Sequence, residues 1–477
     1  TTYYLLLPFL SGIYNLSVEL LIDLKSRQSI IEKWLTETSL KPKRCLFLDD
    51  TQDNILGTSL DGEADKALTE LLNSGNLNKL MVSTEPKCHK IYVLWGLQHN
   101  IDVIVDKPLT ANKVDSEDAE SSKLLIKDFD EIHEAVKKSS SRLYVMIPKR
   151  KRPSYSIIKE YADEIIREHK IPLTYIGMNV NEGMWNMPDE FFTRENHPYK
   201  YGYGGLLHSG YHYTDFILWL MESNSAFDHY KIDKLRMSIE FTTPNDFVHR
   251  IPNEFYKEKF GKDYSQYIND SNYAVYNKMG ELDTFLHLQG YNNNACITNA
   301  NLSVLHTSFS SRAWTNLPDD TYTCNGRIHH HDFNLQFGTV CSINSTQRIF
   351  PVEVENGGSY ENGDCIIEIF RNTDVIGGKP YEKIVFEEQK NKLDREYHGK
   401  RAEIEDWLNR SDSICEFKHH LKNISFLQMV YEQMAKIRTS NDTQYMDLRA
   451  YEPPYFALQF RNQKSVLEIF LQKTSFE

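Results

Sequence analysis

The sequence predicts a two-part α/β protein. An N-terminal Rossmann-like, doubly wound parallel sheet comes first, then an α+β region built on a large, mainly antiparallel sheet. Three observations carry this. Over the first 150 residues short apolar runs alternate with stretches of helical spacing, the pattern of βαβ units. From about residue 172, Tyr, Thr, Val and Asn become frequent and strand-like runs recur with few helices between them. A chain of 477 residues also exceeds what one ordinary core accommodates.

The elements follow in order. "YYLLLPFLSGIYNL" has the length of a signal-peptide core, yet no basic residue precedes it and no small-residue cleavage site follows, so a buried helix is expected. "VELLI" reads as a strand ending at Asp23, and "RQSIIEKWL" has helical apolar spacing. "CLFL" is a further strand; "NKLMVSTEPKCHKIYVLWGLQHN" reads as strand, turn at Pro86, then helix. "IDVIV" and "RLYVMI" are strands flanking the amphipathic "IKDFDEIHEAVKKS". In parallel sheets of this kind ligands bind beyond the carboxyl ends of the strands. Asp23, Thr84, Pro86, Asp106 and Lys107 all fall there.

The helical run "SYSIIKEYADEIIREH" opens the second region. "LTYIGMNV", "KLRMSIEF", "DTFLHLQGY", "FNLQFGTVCSI" and "CIIEIF" supply strands, "LHSGYHYTDFILWLM" interrupts them as a helix, and "ISFLQMVYEQMAKIRT" is a late amphipathic helix. With no repeat or low-complexity linker, the two regions are expected to pack together. The division expected is 1–150 for the parallel-sheet part, 151–445 for the α+β part and 446–477 for a tail.

A formal charge of −13 argues against a nucleic-acid binder, which needs a basic face for phosphates. The seven cysteines are odd in number and form no C-x-x-C pair, which fits a reducing cytoplasm. No apolar run approaches the ~18 residues of a membrane span.

Three local features line up: "STEPKCH" at 83–89, "DKP" at 106–108 and "GGLLHSGYHYTDFILWL" at 204–220. Together they resemble the glucose–fructose oxidoreductase / inositol dehydrogenase / MocA family of nicotinamide-dependent sugar oxidoreductases. The resemblance covers most of residues 15–220 in order and spacing and includes the late helix at 424–439. Residues 225–415 match loosely and read as enlarged. No G-x-G-x-x-G occurs in the sequence, although the family's first strand and turn carry a glycine-rich phosphate cradle. The Asp23 strand arrives too early to be the first, so the cradle is expected to lie upstream of it; the alternative is that the cradle is absent and nucleotide binding is compromised.

The resemblance implies a cofactor, NAD or NADP. Asp23 stands where an acid accepts hydrogen bonds from a ribose 2′-hydroxyl and favours NAD, whereas Lys25, Ser26 and Arg27 could grip a 2′-phosphate. Ser83, Thr84, Pro86, His89, Asp106 and Lys107 complete the expected cofactor-binding set. Lys107, aimed by Pro108, is expected beside the nicotinamide, tuning the protonation of a substrate hydroxyl. His212 occupies the position of the family's catalytic histidine. His208 stands where the family usually has aspartate, so it supplies no fixed negative charge. On a helix His208, His212 and Asp215 share one face, and with Lys107 they form the expected substrate-binding set. No third ligand near the histidine pair points to a metal, and none is expected.

Two other clusters stand out. In "RIHHHDFNLQFG" strand alternation puts His329 and His331 on one face and His330 on the other. With Asp332 they could bind a metal, but a solvated or interface strand is expected. "PKRKRP" at 148–153 is expected as a solvated loop, with contact to an anionic substrate as the alternative.

The expected function is a cytoplasmic NAD(P)-dependent oxidoreductase transferring a hydride to or from a sugar, polyol or sugar derivative. Its partners would be a small sugar-like substrate and further copies of itself, paired through the C-terminal sheet, with no nucleic acid or membrane. The alternatives are a glycosidase that regenerates bound NAD⁺ each turnover, and a non-catalytic dinucleotide sensor.

Overall fold

The computed structural model describes residues 7–112, 114–310, 328–351, 360–386 and 398–440. Five short parallel strands open the fold: β1 (Leu20–Leu24), β2 (Arg44–Leu48), β3 (Lys79–Val82), β4 (Asp102–Asp106) and β5 (Leu143–Met146). They form two sheets, β1–β2 and β3–β4–β5. The expected parallel α/β region is present, its strands falling into two parallel pieces with no ladder joining them among the described residues. Side chains make the connection instead: Leu20 and Ile22 of β1 pack with Leu80 of β3 around Leu68, Trp95 and Ile101. β4 is buried along nearly its whole length, as a near-continuous apolar run requires of a parallel strand covered on both faces.

Eight further strands make one sheet: β6 (Tyr175–Gly183), β7 (Lys234–Phe241), β8 (Thr284–Asn292), β9 (Ala295–Leu305), β10 (Ile328–Phe337), β11 (Cys341–Pro351), β12 (Tyr360–Arg371) and β13 (Tyr381–Phe386). Their order is β13-β12-β11-β10-β6-β9-β8-β7. All neighbours are antiparallel except β6 and β9, which run parallel at the centre. "FNLQFGTVCSI" is not one strand but a hairpin, turning at Gly338 with φ +55°, a backbone region that favours glycine.

One continuous core joins the two regions. Val103 and Val145 of the parallel strands belong to the same apolar cluster as Ile176 and Val180 of β6, Phe216 and Leu220, and Leu427 and Val430 of the late helix. The expectation of packed rather than tethered regions holds. The opening segment forms the short helix Leu7–Ser11, with Leu7 and Leu10 buried against Ile104, Tyr144 and Met146. The expected tail at 446–477 lies outside the described residues. Among the described residues no helix is long and apolar enough to cross a membrane, and no disulfide joins any two cysteines.

Candidate active site

The segment bearing the histidine pair is built around close backbone approach. A Cβ on Gly204 would stand 2.0 Å from the Glu281 carbonyl oxygen, closer than any side chain tolerates. Without one, the Gly205 N–H donates to the Glu281 carbonyl at 2.8 Å and the Leu206 N–H to its carboxylate at 2.8 Å. The chain then makes a π-helical turn, Leu206–Gly210, that runs into the helix Tyr211–Met221. Such turns recur at functional sites because they re-aim side chains within a helix. His208 lies in this turn and His212 in the following helix, so the regular helical face expected for His208, His212 and Asp215 is broken.

Asp215 separates from the pair. Both its oxygens accept hydrogen bonds at 2.7 Å from Nε and Nη2 of Arg150. Burial works against the Arg150 charge, yet the facing carboxylate outweighs it and holds the guanidinium above its ordinary value. Arg150 also donates to the Ile414 and His419 carbonyls. The solvated loop expected of "PKRKRP" is corrected here. Pro148–Lys151 is a helical turn with Arg150 buried, and Lys149 donates to Tyr155 at 3.0 Å and Tyr213 at 2.6 Å.

Lys107 comes to the histidines from the other region. It follows β4, and its Nζ donates to the backbone carbonyl of His208. Asp106 accepts the Lys107 N–H at 2.8 Å. Burial pushes the Asp106 carboxyl up, but the charges of Lys400, Lys107 and His89 prevail and hold it below its ordinary value.

His208 is 2 % exposed, and neither of its ring nitrogens has a partner among the described residues. Its ring lies edge-on to His197, Tyr199 and Tyr203, with centroids 5.0, 5.1 and 5.6 Å away. Burial, then the nearby His197, His306, Lys107 and Arg194, hold it well below the ordinary histidine range. His212 is half-buried, with Nδ1 unpartnered among the described residues. Burial and the charges of Lys107, Lys149 and Lys400 depress it well below that range, against the pull of Glu182. Both imidazoles are therefore neutral at pH 7, able to accept a proton or a hydrogen bond. An unsatisfied buried nitrogen costs stability unless a ligand engages it.

The cofactor-side residues gather at the carboxyl ends of the parallel strands. Asp23 closes β1 half-buried; burial raises its carboxyl, and Oδ1 accepts the Leu24 N–H at 2.7 Å. Lys25 and Arg27 are exposed, and Lys25 is engaged with Asp49. Ser83 and Thr84 are exposed after β3, and Pro86 starts a short helical turn. His89 is fully buried, with Nδ1 2.9 Å from the Pro108 carbonyl and Nε2 2.9 Å from the Thr84 carbonyl. It ties the β3 loop to the β4 loop and is a positioning residue. Asp23 and the Ser83–Pro86 and Asp106–Pro108 loops thus stand at the carboxyl ends of parallel strands, where sheets of this kind take ligands. They include no glycine-rich turn.

Several groups at the site carried no sequence signal. Glu85, in the β3 loop, is pushed up to about 7 by burial, against Lys87 and the His197 N–H. His306 is pushed down to about 4 by burial and is held by Tyr199 and Ser209 at 3.0 and 2.8 Å. Glu182 of β6 meets His329 and His331 of β10. The strand alternation is as read: His331 is buried, while His330 pairs with Asp332 at 3.0 Å on the opposite face. The expected solvated or interface strand is corrected for His331, and Asp332 is not its neighbour.

No protein-family description and no curated protein matches the sequence. Solved structures do match the fold. An aldose–aldose oxidoreductase from Caulobacter crescentus, complexed with glycerol, is similar at 10% identity, over 88% of this chain and 90% of that one, with a TM-score of 0.50. An oxidoreductase from Thermotoga maritima is similar at 14% identity, over 91% and 94%, also with a TM-score of 0.50. The chain has the fold of the glucose–fructose oxidoreductase / inositol dehydrogenase / MocA-type oxidoreductases, the one its three motifs resemble.

Proposed function

We propose that the chain is a nicotinamide-dependent oxidoreductase acting on a sugar, polyol or sugar derivative. The observation that carries this is the meeting of Lys107 with the His208–His212 segment, two elements a hundred residues apart, at the end of β4. A bound nicotinamide supplies or accepts the hydride. The chain's own residues manage the proton. Lys107 presents a hydrogen-bond donor to the substrate oxygen, and neutral His212 accepts the hydroxyl proton as that oxygen becomes a carbonyl. His208, neutral and unpartnered, orients a second hydroxyl. Asp23 favours NAD over NADP. A boundary near residue 150 between cofactor and substrate parts, subunit pairing through the outer face of the eight-stranded sheet, and a cytoplasmic location belong to the same proposal. The related fold that holds glycerol makes polyols and aldoses the first substrates to try.

The test is calorimetry with NAD⁺ and NADP⁺, followed by steady-state assay of reduced cofactor over a panel of aldoses and polyols. Accumulating NADH supports the proposal. Glycoside cleavage without net NADH would establish the glycosidase alternative, dinucleotide binding without turnover the sensor, and absence of dinucleotide binding would end the proposal.

A further inference from the structure

We infer that Glu182, His329 and His331 form a three-residue binding site for a divalent first-row transition ion, zinc foremost. The inference is independent of the oxidoreductase reading.

The sheet pre-organises the three side chains. His329 and Glu182 are direct cross-strand partners on β10 and β6, and His331 follows two residues later on the same face. One ligand atom from each lies within 4.8 Å of the others. Glu182 Oε1 is 3.3 Å from His329 Nδ1 and 3.5 Å from His331 Nε2. A charge-assisted hydrogen bond would bring such atoms to about 2.7–2.9 Å. Ligands bound at about 2.0–2.1 Å around a tetrahedral ion stand about 3.3 Å apart. The two Glu182–histidine spacings match the second arrangement.

The surroundings complete it. Tyr213 Oη is 2.8 Å from His331 Nε2 and donates to Glu182. Tyr155 Oη is 3.3 Å from His331 Nδ1; with Nε2 on an ion, Nδ1 carries the hydrogen and donates to this hydroxyl, the outer contact that fixes a metal-bound imidazole. Two imidazoles and a carboxylate suit zinc and its neighbours rather than calcium or magnesium. Glu182 and His331 side chains are only 3% and 2% exposed, while His329, 24% exposed, gives the ion a way in. Lys149, 2.6 Å from the Tyr213 hydroxyl, opposes a second positive charge. It limits affinity below that of closed structural zinc sites.

The full chain, stripped with a chelator and dialysed, is titrated with Zn²⁺ by calorimetry and with Co²⁺ by visible absorption. One equivalent of Zn²⁺ should bind, with a Co²⁺ spectrum of tetrahedral intensity. His329→Ala should weaken binding by about 100-fold or more, and Glu182→Gln likewise. His330→Ala, on the opposite face, should bind as the parent does. Absence of binding in the parent, or equal binding in parent and His329→Ala, overturns the inference. Should Glu182→Gln fail to fold, the part-exposed His329→Ala decides alone.

Discussion

Two surfaces meet around His212, and they treat their polar groups in opposite ways. The helical segment Leu206–Met221 offers imidazoles with unpartnered nitrogens, His208 above all. The sheet face of β6 and β10 offers groups engaged with one another: Glu182, His329, His331, and the Tyr155 and Tyr213 hydroxyls that reach them. Both sets are deeply placed, so burial alone does not separate them. What separates them is where each hydrogen bond ends. A segment whose buried nitrogens have no partner among the described residues is the natural place for the proposed substrate. A cluster closed on itself is prepared for something that stays.

The largest effect should come from neither surface but from the pair that anchors the helix beneath them. Arg150→Ala strands a buried Asp215 and should cost about 3–5 kcal/mol, read from urea unfolding. Removing Asp215 as well should recover part of that loss. An effect under 1 kcal/mol would show the helix is held by its apolar face alone.

Lys107→Ala should lower turnover by about 10²-fold or more, the scale of a lost acid/base contribution. Dinucleotide affinity should change far less. His212→Asn should act similarly and leave the unfolding midpoint in place, since Asn keeps polarity but does not titrate near neutrality. Normal turnover in either variant would leave the helical surface without its assigned chemistry.

His208 sharpens the contrast through pH. Its folded value lies well below the unfolded value of about 6.5. Below that pH the unfolded chain takes up a proton there that the folded chain refuses. This group's contribution to stability therefore falls as pH falls, by about 1.4 kcal/mol per pH unit when fully expressed. His208→Asn removes it, so the parent's stability relative to the variant should shrink between pH 7 and 5. Parallel pH curves would mean the imidazole is not held neutral. His208→Asp introduces a carboxylate in the turn that precedes His212 and should move the lower limb of the pH–rate profile to higher pH.

The smallest effect belongs to the far end of the cofactor. Asp23→Ser should erode a preference for NAD(H) over NADP(H) by about 1 kcal/mol, one hydrogen bond's worth. Equal affinities in the parent would transfer the choice to Lys25 and Arg27.

Much of the parallel region was legible, because its strands are short apolar runs bounded by turns, and Lys107, His208 and His212 sit at fixed offsets in local motifs. Legibility ended where the site depends on distance along the chain. Glu182 is unremarkable in "VNEG" until β6 pairs with β10. His306 gains meaning only when Tyr199 and Ser209 close on it. β9 lacks a clear signal because its inward positions begin with Thr298 and Ala300 while the apolar Ile297 and Leu305 lie on the other face, which blurs the alternation. Arg150 looked like solvated charge because nothing local announces the buried Asp215. The helices Pro244–Arg250, Asn253–Phe260 and Asp270–Asn277 between β7 and β8 account for part of the enlargement read in 225–415.

β6 sits at the middle of the eight-stranded sheet, flanked by β9 in parallel and β10 in antiparallel register. Its partners arrive more than a hundred residues after it on the chain. During synthesis β6 must therefore wait with both edges unsatisfied until β9 has emerged and with one until β10 has, and loop closure over that separation makes the step slow. Such a strand is a template for unwanted pairing with other chains. The chain's dependence on chaperones should thus centre on the interval between the emergence of residue 183 and that of residue 337.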